Sequence, residues 1–457
     1  MKTLLEMLKK NKKIPMHMPG HKRNGKAFPY LRNFADIDIT EIDGFDNLHN
    51  ASGILKESME NAAKQRGADS CFYLVNGSTC GILAVICAVL KTGDKVIVAR
   101  NCHKSVYNGI ELSGAKPVFV YPEKDNKYGI SGSINALEIE KKIKENPDAK
   151  LVILTSPTYE GVISDIEAIC RISHKNNIPV LVDAAHGAHL GFGGFPKDAL
   201  SLGADATVES LHKTLMSLTQ TAVCYLSGKL IDETEVLKKL AVFETSSPSY
   251  ILLSSIDGCI NALKTRENKI FDAWENNLER FYNKISALEN IKFLKNDAKE
   301  FFDLDKSKIV LFPKNKNGAF LSENLRKCGI EPEMTAPHYV ICMTGAGDSP
   351  KNLKKLAKAL IKIDKIIKSA PNPPKPAVSD PSGRVRILED AEFCDIKNLC
   401  GRISAGYVFA YPPEVPILVP DEKITEETVK KICEYRKGGL SLLGDIDGDK
   451  ILVMKIT

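Results

Sequence analysis

The sequence predicts an α/β protein built on a doubly wound, mostly parallel sheet, and three observations point to it. Apolar runs of four or five residues recur between positions 71 and 226: CFYLV, KVIVA, PVFV, LVILT, IPVLV, ADATV and AVCYL. Stretches with helical spacing separate them, and repeated strand–helix units of this kind wind a parallel sheet. Several runs also end abruptly in polar residues able to do chemistry. In an open α/β sheet, ligands bind outside the carboxyl ends of the strands.

Taken in order, Ile54–Arg66 has helical spacing and Gly67 ends it. Cys71–Val75 reads as a strand, Asn76-Gly77-Ser78-Thr79 as a tight turn and Cys80–Leu90 as a buried helix. A small-residue turn between strand and helix offers free N–H groups to a phosphate. Gly77 permits close approach, and the Ser78 and Thr79 hydroxyls add donors. Lys95–Ala99 is the next strand, and His103 follows its end, where an imidazole could stack on a flat ring. Pro117–Val120 and Leu151–Thr155 continue the alternation, the latter running into the hydroxyl-bearing turn Ser156–Gly161. A helix covers about residues 165–176. Two strands, Ile178–Val182 and Ala204–Val208, precede Asp183 and Ser210-Leu211-His212-Lys213, and Ala222–Leu226 closes the series.

Residues 244–263 are hydroxyl-rich and then helical, and a charged helix over about 265–290 bridges to a second domain and carries Trp274. Ile291–Leu294 and Ile309–Phe312 read as strands, Ser349–Ile367 as a lysine-rich helix, and APNPPKPAVSDPSG as a linker or surface loop. Order returns with GRISAGYVFAYPPEVPILVPDEKI and ends on the strand Ile451–Ile456. The expected division is an N-terminal arm over 1–53, a large domain over 54–285 and a smaller α+β C-terminal domain over 286–457.

Composition narrows the function classes. The net charge of +6 is spread over lysines along the chain, with no concentrated basic arm, so nucleic-acid binding is not expected. No stretch approaches a membrane span, and MKTLLEMLKKNKK lacks the apolar core and cleavage site of a signal peptide. None of the twelve cysteines forms a C-x-x-C pair and several lie in apolar runs, which fits a reduced cytoplasmic protein. His17 and His21 stand four apart, but Pro19 and Gly20 between them rule out a regular helix, so no metal is expected. The acidic loop Glu41–Asp46 is a candidate lining for a cationic substrate.

The stretch Leu181–Lys213 brings these readings together. An acid on one strand end and a lysine on another suit a pyridine cofactor held as a Schiff base. Asp183 would pair with the ring nitrogen and Lys213 would carry the aldehyde carbon. With this chemistry in place, the chain resembles the ornithine/lysine/arginine decarboxylases of the aspartate-aminotransferase fold, fold type I of the pyridoxal-phosphate enzymes, in their shorter bacterial form. The resemblance rests on PMHMPGHK, DNLH, NGST, CHKS, TSPTYEG, DAAHGAH, ESLHK, TSSPSY and YPPEVPILVP, which stand in the family's order and approximate spacing. Ala51 departs from the family's proline after DNLHN, and Glu414 from its glycine in YPPGVP; both segments shape the substrate end of the pocket.

The resemblance implies that Lys213 forms the Schiff base with pyridoxal 5'-phosphate, that Asp183 holds the pyridinium charged and that Ala185 lies against the ring. His103 stacks on the opposite face, and His186 is near the cofactor. Ser78, Thr79, Ser210 and His212 bind the phosphate, with Gly77 allowing approach. Lys213, His212 and Asp183 then carry the catalysis. The implied reaction is decarboxylation of arginine, lysine or ornithine to agmatine, cadaverine or putrescine, in a homodimer or higher oligomer. Alternatives are another reaction of the same cofactor, an aminotransferase or lyase, with Arg384, Arg386 and Arg402 as candidate carboxylate clamps, or a silent paralogue acting by protein contacts.

Overall fold

The protein is described from a computed structural model covering residues 3–11, 34–367, 391–411, 414–437 and 441–455. The histidine-bearing arm 14–24, the proline-rich segment 370–383, Arg384 and Arg386 lie outside these residues. The chain opens with helix Leu4–Lys10 (α1), closed by a Thr3–Glu6 capping box. Its Leu4 and Leu8 are fully buried.

The apolar runs form strands Ser70–Leu74 (β1), Lys95–Ala99 (β2), Lys116–Val120 (β3), Ala149–Thr155 (β4), Val162–Ile163 (β5), Val180–Asp183 (β6), Ala206–Glu209 (β7) and Ala222–Leu226 (β8). All but β5 join one sheet, ordered β1-β8-β7-β6-β4-β2-β3. Only β8 runs antiparallel to its neighbours, so the predicted doubly wound, mostly parallel architecture holds. Period-2 alternation divides the side chains between the two faces. On β1, Cys71 and Tyr73 enter one core, and Phe72 and Leu74 the other.

The intervening helices are Ile54–Arg66 (α2), Gly77–Val89 (α3), Lys104–Ser113 (α4), Ala136–Glu145 (α5), Ile166–His174 (α6), Leu211–Thr214 (α7) and Glu233–Phe243 (α8). Gly67 closes α2 at φ 75°, a left-handed position where a side chain is disfavoured. Two expectations change. The turn 76–79 is absorbed into α3, whose first turn contains Gly77, Ser78 and Thr79. The helical end of the 244–263 stretch and the helix expected over about 265–290 are one element, Tyr250–Ile285 (α9), which Ser249 caps through the Leu252 N–H. Its Arg266 has φ −140°, a local break, and the buried residues on both sides of it enter the same core.

Beyond α9, strands Ile291–Phe293 (β9), Asp303–Leu304 (β10), Lys308–Pro313 (β11), Met334–Thr335 (β12) and Val340–Met343 (β13) follow, with helices Gly318–Lys327 (α10) and Pro350–Ile366 (α11). Four of these strands make a sheet ordered β12-β13-β11-β9, while β10 pairs with β5 in a separate two-stranded ribbon that joins this region to the segment after β4. The C-terminal module contains Ala391–Asp395 (β14), Val408–Tyr411 (β15), Val415–Leu418 (β16), Ser441–Gly444 (β17), Ile446–Asp447 (β18) and Lys450–Met454 (β19), with helix Glu426–Lys437 (α12). It has its own core around Leu399, Leu418, Ile432 and Val453. Among the described residues, no helix is long and apolar enough to cross a membrane, and no group of three or more His, Cys, Asp or Glu could hold a metal ion.

Candidate active site

Because β1, β2, β4, β6 and β7 are parallel, the residues after them emerge on one edge of the sheet. The antiparallel β8 brings its beginning to that same edge. Its contacts there are visible: the Gly77 N–H donates to the Gln220 carbonyl at 2.9 Å, and His212 Nδ1 lies 2.9 Å from the Thr221 carbonyl. A cavity of about 210 Å³ opens along the edge, and its wall includes Ser78, His103, Asp183, Ala185, His186 and Lys213. Side chains far apart in sequence therefore meet around one space.

Lys213 Nζ lies 3.0 Å from His186 Nε2. Burial lowers the lysine's pKa from its ordinary value, while the negative charges of Asp183 and Glu333 pull the other way. Burial also drives the His186 pKa well down, helped by the positive charges of Lys213, Lys308, His103 and His212. His186 is thus held neutral beside a lysine whose free amine is within reach. Asp183, 2 % exposed, accepts the Ala185 N–H at 3.1 Å, which fixes its carboxylate at the end of β6.

The remaining predicted residues are placed less uniformly. Ser210 is fully buried, and its hydroxyl has no hydrogen-bond partner among the described residues. His186 Nδ1 is likewise unpartnered. Leaving such groups bare costs about 1–3 kcal/mol each, so a polar ligand fits here. Gly77 has φ 78°, which a side chain would resist, but its N–H is already committed to Gln220. Thr79 is exposed in the first turn of α3. His212 lies in an adjoining cleft rather than on the cavity wall. With Nδ1–H donated to Thr221, its neutral ring presents a lone pair at Nε2. Burial lowers its pKa, against the pull of that hydrogen bond.

Several wall residues were not singled out from sequence. Tyr159 and Glu160 follow β4; Tyr159 packs edge-on against His186 with centroids 4.8 Å apart and donates to Glu333 at 2.7 Å. Tyr339 donates to Glu160 at 2.7 Å. Lys431 and Tyr435 reach the wall from α12. Burial, then the nearby Arg100 charge, brings the Lys431 pKa down to about 8, against Glu422, Glu427 and Glu160. Lys308 is fully buried with Nζ 3.3 Å from the His186 carbonyl. The turn TSPTYEG could have been read as wall, since it ends a parallel strand; Lys308, Glu333 and Lys431 carry no local signal.

Asp46 proves to be structural. Its carboxylate accepts N–H groups from Ser52 and Gly53, both at 2.7 Å, and from Leu55 at 3.2 Å. Burial opposes its charge, yet these donors hold its pKa below the ordinary value. Arg402 donates to Glu392 at 2.6 Å and to the Met454 carbonyl at 2.7 Å, which leaves it outside the cavity.

Comparisons with known proteins bear on the family and the fold. Residues 1–320 match the Orn/Lys/Arg decarboxylase major-domain family and residues 371–438 its C-terminal-domain family. Arginine decarboxylase of Bacillus anthracis is 34 % identical over 467 residues, covering 97 % of this chain and 94 % of that protein. Its Bacillus subtilis counterpart is 32 % identical over 457 residues, with 95 % and 93 % covered. In fold, the chain resembles the Francisella novicida lysine decarboxylase, with TM-score 0.82, 17 % identity and coverage of 99 % and 81 %. The serine palmitoyltransferase of Sphingomonas wittichii is a more distant match, with TM-score 0.57, 16 % identity and coverage of 75 % and 83 %.

Proposed function

The chain belongs to the Orn/Lys/Arg decarboxylase family and is a pyridoxal-phosphate-dependent decarboxylase of a basic amino acid, and from that premise we propose that it converts arginine to agmatine. The single observation carrying the choice of arginine is the end-to-end match to two arginine decarboxylases. Two carboxylates, Glu160 on the cavity wall and Glu333 in the adjoining cleft, are compatible with a guanidinium head group.

Pyridoxal phosphate, when bound, supplies an aldehyde for an amine and a ring that takes up the electron pair left by departing carbon dioxide. Lys213 holds the cofactor covalently, and its lowered pKa makes the neutral amine accessible for that bond. Asp183 keeps a proton on the ring nitrogen, since a neighbouring anion favours the charged form. Ser78 and the otherwise unpartnered Ser210 hydroxyl bind the phosphate, with Thr79, Gly77 and His212 around them. His103 and Ala185 bracket the ring. His186, held neutral 3.0 Å from Lys213, offers its Nε2 lone pair to the lysine's N–H and so holds the side chain in place. Lys213, on the cavity wall, is the acid placed to return a proton to the α-carbon, whereas His212, expected from the sequence to share that role, presents only a lone pair at Nε2. Tyr159 fixes Glu333 through its 2.7 Å hydrogen bond, which orients that carboxylate for a distal cation.

The working form is a homodimer or larger homo-oligomer, as the family resemblance implies, and its twelve free thiols suit a reducing cytoplasm. Light scattering of the purified protein checks the assembly. The reaction is tested by incubating the protein with pyridoxal phosphate and, separately, L-arginine, L-lysine and L-ornithine, with the amine and carbon dioxide measured. Agmatine with matching carbon dioxide, lost by more than about a thousandfold in Lys213→Ala, is the expected result. A dominant diamine product would reassign the substrate; keto acid in place of amine would move the enzyme to the aminotransferases.

A further inference from the structure

The hairpin β15–β16 covers the cavity from the C-terminal module, with Ala410, Val415 and Pro416 on the wall. At its tip Glu414 holds φ 66°, a left-handed conformation uncommon for a residue with a side chain. Such a conformation at a pocket calls for a reason. Its contacts supply one. The Lys104 N–H donates to the Glu414 carbonyl at 3.1 Å and Lys104 Nζ to Oε1 at 2.7 Å, while Oε2 stands 3.4 Å from His103 Nε2.

The other side of the His103 ring is occupied too. His103 is the N-cap of α4, and its Nδ1 accepts the Ser105 backbone N–H at 3.2 Å. A ring nitrogen that accepts from a backbone N–H carries no proton, so the proton of the neutral ring resides on Nε2. That N–H faces an anion, because the hydrogen bond from His103, and then Lys104, bring the Glu414 pKa down to about 2 despite partial burial.

We propose that Glu414 is a positioning residue for His103: its carboxylate on one side and the Ser105 N–H on the other fix the Nε2–H tautomer and one ring plane at the cofactor pocket. The clasp also joins the hairpin tip to the end of β2, so the C-terminal module helps set the geometry of a side chain on the large sheet. The charged or titratable groups facing it are Lys104 on α4 and, across the adjoining cleft, His186, His212, Lys213, Glu333 and Asp348. The link to cofactor binding rests on the reading of His103 as the ring's neighbour, whereas the tautomer does not.

The test uses the full chain and two variants. Glycine adopts φ 66° readily, so Glu414→Gly keeps the hairpin while removing the carboxylate, and Glu414→Gln keeps an acceptor oxygen. In the cofactor-free protein labelled with 15N-histidine, with the pH set so that the ring is neutral, wild type and Glu414→Gln should show His103 Nδ1 unprotonated and Nε2 protonated. Glu414→Gly should show the two nitrogens averaged between tautomers. Pyridoxal phosphate should then bind roughly three- to fivefold more weakly to Glu414→Gly and within about twofold of wild type to Glu414→Gln, the scale of a partly exposed ion pair. Unchanged His103 nitrogen shifts in Glu414→Gly overturn the clasp. Changed shifts with unaltered cofactor affinity overturn its role at the pocket and leave the reaction assignment standing. Equal losses of affinity in both variants overturn the role of the acceptor oxygen.

Discussion

The floor of the cavity and the hairpin above it belong to the same site but are held in different ways. The floor is a row of strand ends. Asp183, Ser210 and Lys213 follow strands whose apolar side chains are buried on both faces, and their positions follow from parallel pairing. The hairpin is held by a few polar clasps across long sequence separations. Arg100 at the end of β2 donates to the Pro416 carbonyl at 2.8 Å, the Ile417 carbonyl at 3.3 Å and Glu422 Oε2 at 3.1 Å. Lys104 and Glu414 make the second clasp. Packing therefore sets where the chemistry sits, and a handful of charges decides how the site is covered.

Substitutions can break that comparison, beginning with the floor. Asp183→Asn should lower kcat by roughly a hundredfold or more with the fold intact, because the ring nitrogen loses its counter-charge. Steady-state agmatine formation, alongside a thermal melt, checks this. A melt shifted as much as the rate would mean that Asp183 acts through the packing.

The hairpin should respond in the opposite way. Arg100 and Glu422 are both buried, 6 % and 1 % exposed. Arg100→Met leaves Glu422 without its partner, and breaking such a pair costs about 3 kcal/mol or more. A lower melting temperature and faster proteolysis within residues 391–455 should accompany cofactor absorbance that persists in the surviving protein. Loss of both together would merge the two regions into one cooperative unit.

Glu333 provides a smaller effect with a definite sign. Glu333→Gln should raise KM for arginine about tenfold, the scale of one charge-assisted contact. The same change removes a negative charge that raises the Lys213 pKa. The lysine then deprotonates at lower pH. The pH midpoint for cofactor uptake by the cofactor-free protein should move down from that of wild type. A shift upward would remove Glu333 from the neighbourhood of Lys213. The smallest effect is expected at Asp46→Asn, which should lower thermal stability slightly and leave KM unchanged, since its carboxylate serves the 46–55 backbone. An increase in KM would return the acidic loop to the substrate pocket.

The sequence by itself determined the strand–helix alternation, the parallel sheet and the residues at its edge. These are local matters: an apolar run of the right length pairs and buries, and the polar residue after it must emerge at the strand end. Lys95–Ala99 and Ala222–Leu226 appear with the boundaries read from sequence, and Ser78, His103, Asp183, Ala185, His186 and Lys213 share one cavity. The two helical stretches read on either side of residue 264 are one element, α9, capped by the Ser249 side chain and broken only locally at Arg266. Only the tertiary structure decided that Asp46 holds a loop, that His212 turns into the neighbouring cleft and that Lys308, Glu333 and Lys431 approach the site. Lys308 meets His186 and Glu333 meets Tyr159 across more than a hundred residues, while the Asp46 and His212 contacts are near in sequence but depend on the exact path of the backbone, and no pattern of charge or hydropathy encodes either.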